Sequence, residues 1–163
     1  MLTPSPLRVV RVRAKIVVDG VIDSALGVAA LGVLVLVHGN GYGAILAFGV
    51  GAAGFFVLTV AFGLVALRGV RRGRALLEPL PPQAVVRSAL PEAIWGGARL
   101  FTVALLLVSV AVDLAVVLGY GPGASLGAVV TIVAYRRIER TTGPLYMESG
   151  DALRQRPLYY APS

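Results

Sequence analysis

The sequence predicts an all-α polytopic membrane protein: a four-transmembrane-helix bundle built as two helical hairpins, with both termini in the cytoplasm. Three observations lead to it. Hydrophobic residues make up 57% of the chain and charged residues only 14%, with a mean hydropathy of +0.83, whereas a soluble domain carries roughly 25% charged residues. Ala44–Leu67 contains no charge at all and exceeds the run of about 20 apolar residues, rising about 1.5 Å each, that spans the hydrocarbon layer. Finally, all 15 basic residues fall in three segments that alternate with two basic-free glycine turns.

Taken in order, residues 1–15 form a basic segment. Ser5-Pro6 offers a cap and a first-turn proline, so a helix is expected from about residue 6. Arg8, Arg11, Lys15, Asp19 and Asp23 recur at three and four residues and share one helical face. The first span is expected at about 16–38. Two aspartates before the apolar core, and no small-residue cleavage site after it, argue against a signal peptide. His38–Gly43 reads as a tight turn, and the second span as about 44–67.

The cytoplasmic loop, 68–97, opens with Arg68, Arg71, Arg72 and Arg74, then Glu78-Pro79-Leu80-Pro81-Pro82, which cannot be helical throughout. Gln83–Trp95 regains an amphipathic rhythm broken by Pro91, an interfacial helix ending on a headgroup-level Trp95. The third span follows at about 98–118. Gly119–Gly123 reads as the second tight turn, and the fourth span as about 124–138, extended by Arg136 and Arg137 snorkelling to the interface. The tail, 141–163, is polar, repeats Pro-Leu-Tyr at 144–146 and 157–159, and reads as extended or disordered.

Orientation follows from the basic residues, which are retained on the cytoplasmic side. The N-terminal segment, the central loop through Arg99 and the tail hold every Lys and Arg, and the two glycine turns hold none. The formal charge of +7 is therefore a cytoplasmic-face property. Lipid-interface roles fall to Trp95, Arg68, Arg71, Arg72, Arg74, Arg136 and Arg137, with anionic headgroups and not nucleic acid as the expected partner. Arginine in place of nearly all lysine, beside much Ala, Gly and Val, reads as a high-GC bacterial coding sequence. The expected location is a bacterial cytoplasmic membrane.

Four sets of residues stand out. Thr102, Ser109, Asp113 and Tyr120 form a polar stripe on the third span. Asp113 lies roughly 20 Å along from Arg99, where an ionisable group is costly and points either to function or to a packing partner. Lys15, Asp19 and Asp23 suggest an ion-pair network at the cytoplasmic rim, with a coupling-ion site as the alternative. His38, the only histidine, reads as a hydrogen-bonding anchor at the outer end. Gly43, Ala47, Gly51 and Gly54 on the second span, with Gly20, Ser24 and Gly27 on the first, are small residues that let membrane helices approach closely.

There is no cysteine, and no Ser–His–Asp order, His-Glu-x-x-His or phosphate-binding loop. No metal or cofactor is expected. The chain reads as a non-enzymatic membrane subunit or scaffold whose partners are other membrane proteins. The alternative is a small homo-oligomeric transporter or channel using Asp113 or the Asp19/Asp23 pair. A lipid-acting enzyme would have to draw on Glu78, Glu92 and Arg99, a weak set.

Overall fold

The computed structural model describes residues 7–71, 77–95, 97–148 and 158–161. In chain order these form β1 (Arg8–Arg11), α1 (Val12–His38), α2 (Gly41–Arg71), β2 (Leu77–Pro79), β3 (Val85–Arg87), α3 (Ala89–Trp95), α4 (Gly97–Ala111), α5 (Ala115–Leu118), α6 (Tyr120–Thr142), β4 (Leu145–Glu148) and β5 (Leu158–Tyr160). The chain is mostly helical. Three runs are long and apolar enough to cross a membrane: α1, α2 as far as Val65, and the continuous stretch Ala115–Thr142. Their outward faces carry Leu36, Val37, Ile45, Val50, Phe62 and Val129, all exposed. Water-soluble chains rarely present apolar surface on that scale, so the chain is a membrane protein. With 15 residues, α4 is the shorter apolar helix of the set.

The first turn falls where the glycines put it. Gly39 takes a left-handed φ of 71° and donates its N–H to Val35 O (2.9 Å), closing α1. Asn40 then caps α2, its Oδ1 accepting the Gly43 N–H at 3.1 Å. The second turn does not fall where expected. α4 ends at Ala111, and the chain reverses at Val112–Leu114 rather than at Gly119–Gly123. Asp113, with φ of 56°, occupies the left-handed position of a Schellman motif. Leu114 N–H donates to Ser109 O (2.8 Å) and Asp113 N–H to Val110 O (3.5 Å). Glycine usually fills that position, but a short aspartate tolerates it.

The glycines of 119–127 therefore lie inside the bundle. α5 and the first turns of α6 form a wedge between α1 and α2, packed backbone to backbone. A Cβ on Gly121 would strike the Asp23 carbonyl, one on Gly123 the Ala52 carbonyl, and one on Gly51 the Val116 carbonyl. Pro122 sits in the first turn of α6, where its missing N–H costs nothing. Beside the wedge, toward the turns, Leu34, Ala44, Leu106, Ala115 and Leu118 make the buried apolar core.

At the other end the chain departs from an all-helical fold. Five short strands form one sheet in the order β2-β5-β4-β1-β3. β1 pairs parallel with β3 and antiparallel with β4; β5 pairs antiparallel with β4 and parallel with β2. The repeated Pro-Leu-Tyr segments lie side by side, Leu145 opposite Tyr160 and Tyr146 opposite Tyr159. Val9 and Val10 are buried on opposite sides of β1. Helix α1 thus starts at Val12, after a strand, and not near residue 6; the Ser5-Pro6 cap lies outside the described residues. Of the expected interfacial helix at Gln83–Trp95, the part Ala89–Trp95 is helical, and Val85–Arg87 instead joins the sheet beside β1.

Candidate functional site

Charged side chains meet at two places near the sheet end. The deeper lies between α1 and α4. Lys15 Nζ pairs with Asp19 Oδ2 at 3.0 Å, one helical turn apart. Arg99, only 10% exposed, bridges both aspartates: Nη1 to Asp23 Oδ1, and Nη2 to Asp19 Oδ1 at 3.4 Å. Its Nε donates to Ala93 O (2.8 Å), so the guanidinium is held by the C-terminal part of α3 as well. Among the described residues, two cations and two carboxylates meet here and offset one another, which is the condition under which charge is tolerated in a low-dielectric interior.

A hydroxyl cluster lies beside it on α1 and α6. Ser24 Oγ donates to Ser125 Oγ (2.8 Å), and Ser125 Oγ sits 2.6 Å from Gly20 O and 2.7 Å from Gly121 O. A Cβ on Gly20 would lie 3.1 Å from Ser125 Oγ, and one on Gly27 would lie 2.7 Å from Leu118 O. These three small residues of α1 therefore face α5 and α6.

The second charged site ties helix to sheet. Glu139, near the end of α6 and 7% exposed, accepts from Arg13 Nη1 (3.0 Å) and from the Leu145 N–H at the start of β4 (3.2 Å), with Arg11 Nε at 4.0 Å. One carboxylate thus joins the start of α1, the end of α6 and the sheet. Nothing in the sequence pattern singled out Glu139, because its partners lie 126 residues away and across a turn into β4.

The expected polar stripe is divided between helices. Ser109 is buried on α4 with its Oγ bonded back to Leu105 O (2.7 Å), and Thr102 lies half-buried on the same helix. Asp113 is exposed in the turn beyond the end of α4. Tyr120 opens α6 well inside the bundle, its ring edge-on to Phe55 with centroids 5.2 Å apart. His38 donates from Nε2 to Val110 O (2.9 Å), linking the far ends of α1 and α4. Of the α2 glycines, Gly51 packs against α5, and Gly43 against the Asn40 side chain. Ala47 borders the apolar core. Gly54 faces outward with nothing within 4 Å of a Cβ. Arg72 and Arg74 lie outside the described residues, as do the side chains of Arg71, Glu92 and Trp95; Arg68, Arg136 and Arg137 are exposed.

The partner that sequence reasoning missed is Arg99. Its signal is a lone arginine at the start of an apolar run, on a helix that runs in the same direction as α1. Equal depth then follows: His38 meets Val110 at one end, and Asp23 meets Arg99 at the other. Compared with protein-family models, with curated proteins and with solved structures, the chain matches none.

Proposed function

We propose that this chain is a non-enzymatic, multi-pass subunit of a bacterial cytoplasmic membrane complex, with the sheet end in the cytoplasm and α4 making a fourth crossing. The observation that carries this reading is the mutual pairing of Lys15, Asp19, Asp23 and Arg99 across α1 and α4. These groups hold one another, so they serve as a structural clamp between α1 and α4 rather than as an open ion path. Orientation is supported by the basic residues: the ends that join the sheet carry Arg8, Arg11, Arg13, Arg87 and Arg140, while the turns at 39–40 and 112–114 carry none.

Other surfaces suit a partner. Gly49 and Ala53, one turn apart on α2, and Gly54, further round the same helix, are exposed small residues, and nothing lies within 4 Å of a Cβ on Gly49 or Gly54. Such surfaces let a helix from another chain approach closely. Among the described residues β3 is an edge strand, and it exposes Val85 and Val86. A homo-oligomeric transporter draws less support, because Asp113 stands in an exposed turn and the Asp19/Asp23 pair is held by cations.

Extraction from native membrane in a mild detergent or a polymer nanodisc tests this. A stoichiometric second membrane protein is expected to co-purify, and substitution of Gly49 and Gly54 by Leu is expected to release it without unfolding the chain. Recovery of the chain alone, or as a homodimer, would contradict a heteromeric role.

A further inference from the structure

Between α2 and α6, at the sheet end, lies a groove of about 610 Å³ lined by Leu64, Val129, Val130, Val133 and Ala134, with Arg68 and Arg137 at one end. Its size falls within the range of about 300–1,000 Å³ typical of ligand sites. The two helices run in the same direction: Gly63 meets Thr131, and Gly127 meets Thr59. That offset of 68 residues sets Arg68 level with Arg136 and Arg137. The apolar lining extends from Val129 to Arg137 along α6, about 12 Å, toward the membrane interior. Neither Arg68 nor Arg137 is in an ion pair among the described residues.

We infer that this groove is a binding site for one anionic phospholipid, its phosphodiester between Arg68 and Arg137 and the upper part of an acyl chain against Leu64, Val129, Val130, Val133 and Ala134. The chemistry is complementary at both ends. Arginine offers forked donors that match phosphate oxygens, and the lining offers aliphatic contact in place of a neighbouring lipid tail. The inference goes beyond a diffuse attraction between a basic face and anionic headgroups, because it requires two particular arginines and a filled groove. It does not depend on whether the chain has protein partners.

Native mass spectrometry of the purified full-length chain tests it, with phosphatidylglycerol and phosphatidylcholine of identical acyl chains as probes. One phosphatidylglycerol is expected to bind about tenfold more tightly than phosphatidylcholine. In R68Q/R137Q the preference is expected to vanish, whereas R136Q, altered at the exposed neighbour that does not line the groove, is expected to retain it. V133W, which fills the groove while leaving both arginines, is expected to lose the bound lipid, and glycerol phosphate is expected not to compete. Circular dichroism confirms that each variant keeps its helix content. Equal binding of the two lipids by the unaltered chain, equal losses in R136Q and R68Q/R137Q, retention of the lipid by V133W, or displacement by glycerol phosphate would each overturn the site.

Discussion

Substitution of Arg99 by leucine is expected to destabilise the folded chain by about 3–5 kcal/mol, the cost of leaving a buried charge without its partner. Asp23 is the group left exposed to that cost. Its side chain is 16% exposed and its cation is Arg99, whereas Asp19 keeps Lys15 at 3.0 Å. The charge count makes a sharper experiment possible. Counted over these four described groups, removing Arg99 leaves −1, and R99L/D23N returns them to zero with the Lys15–Asp19 pair intact. The double variant is therefore expected to recover most of the lost stability, while D23N alone, left at +1, is expected to fall below the unaltered chain. Reversible unfolding in mixed micelles measures all three. Additive losses in the double variant would mean that Arg99 and Asp23 act independently, and the clamp between α1 and α4 would then not exist.

The glycines at the wedge contacts, Gly51 on α2 and Gly121 on α6, give the second large effect. Even alanine at Gly51 or Gly121 places a Cβ against a backbone carbonyl, that of Val116 or Asp23, and a carbonyl inside a helix cannot rotate away. Each substitution is expected to cost about 2–3 kcal/mol as the helices separate, in line with overpacking in a close-packed interior. Gly49 and Gly54 provide the internal control. With nothing within 4 Å of a Cβ, G49A and G54A are expected to leave stability unchanged within about 0.5 kcal/mol, or to raise it through alanine's higher helix propensity. The same unfolding measurement separates the two pairs. Similar losses at all four positions would mean that the glycines matter for the helix itself and not for the approach of α5 and α6 to their neighbours.

Which parts of this fold the sequence reveals depends on the length of the signal. Spans of 20 or more apolar residues stand out, because lipid allows few alternatives to a helix, and the Gly39–Asn40 turn is marked by residues that suit a left-handed cap and an N-cap. The Gly119–Gly123 run misleads, because glycine and proline mark a turn in water but serve close helix approach in a bundle. The actual turn is built on Asp113, whose side chain invites a functional reading. Strands of three or four residues fall below any periodicity, and β1, β4 and β5 acquire their meaning only from partners far along the chain. Likewise, Lys15, Asp19 and Asp23 are legible as a group by their helical spacing. Arg99 and Glu139 are not, since their contacts are tertiary.

In the proposed topology the sheet and the two turns lie on opposite sides of the membrane, with the second turn at 112–114 and Tyr120 deep between them. A chain without native cysteine suits the measurement: single cysteines labelled by a membrane-impermeant maleimide in intact cells. Y42C and V112C are expected to label from outside, R87C only after permeabilisation, and Y120C in neither case. Labelling of Y120C from outside as readily as V112C would restore the turn to the glycines, and labelling of R87C in intact cells would reverse the orientation.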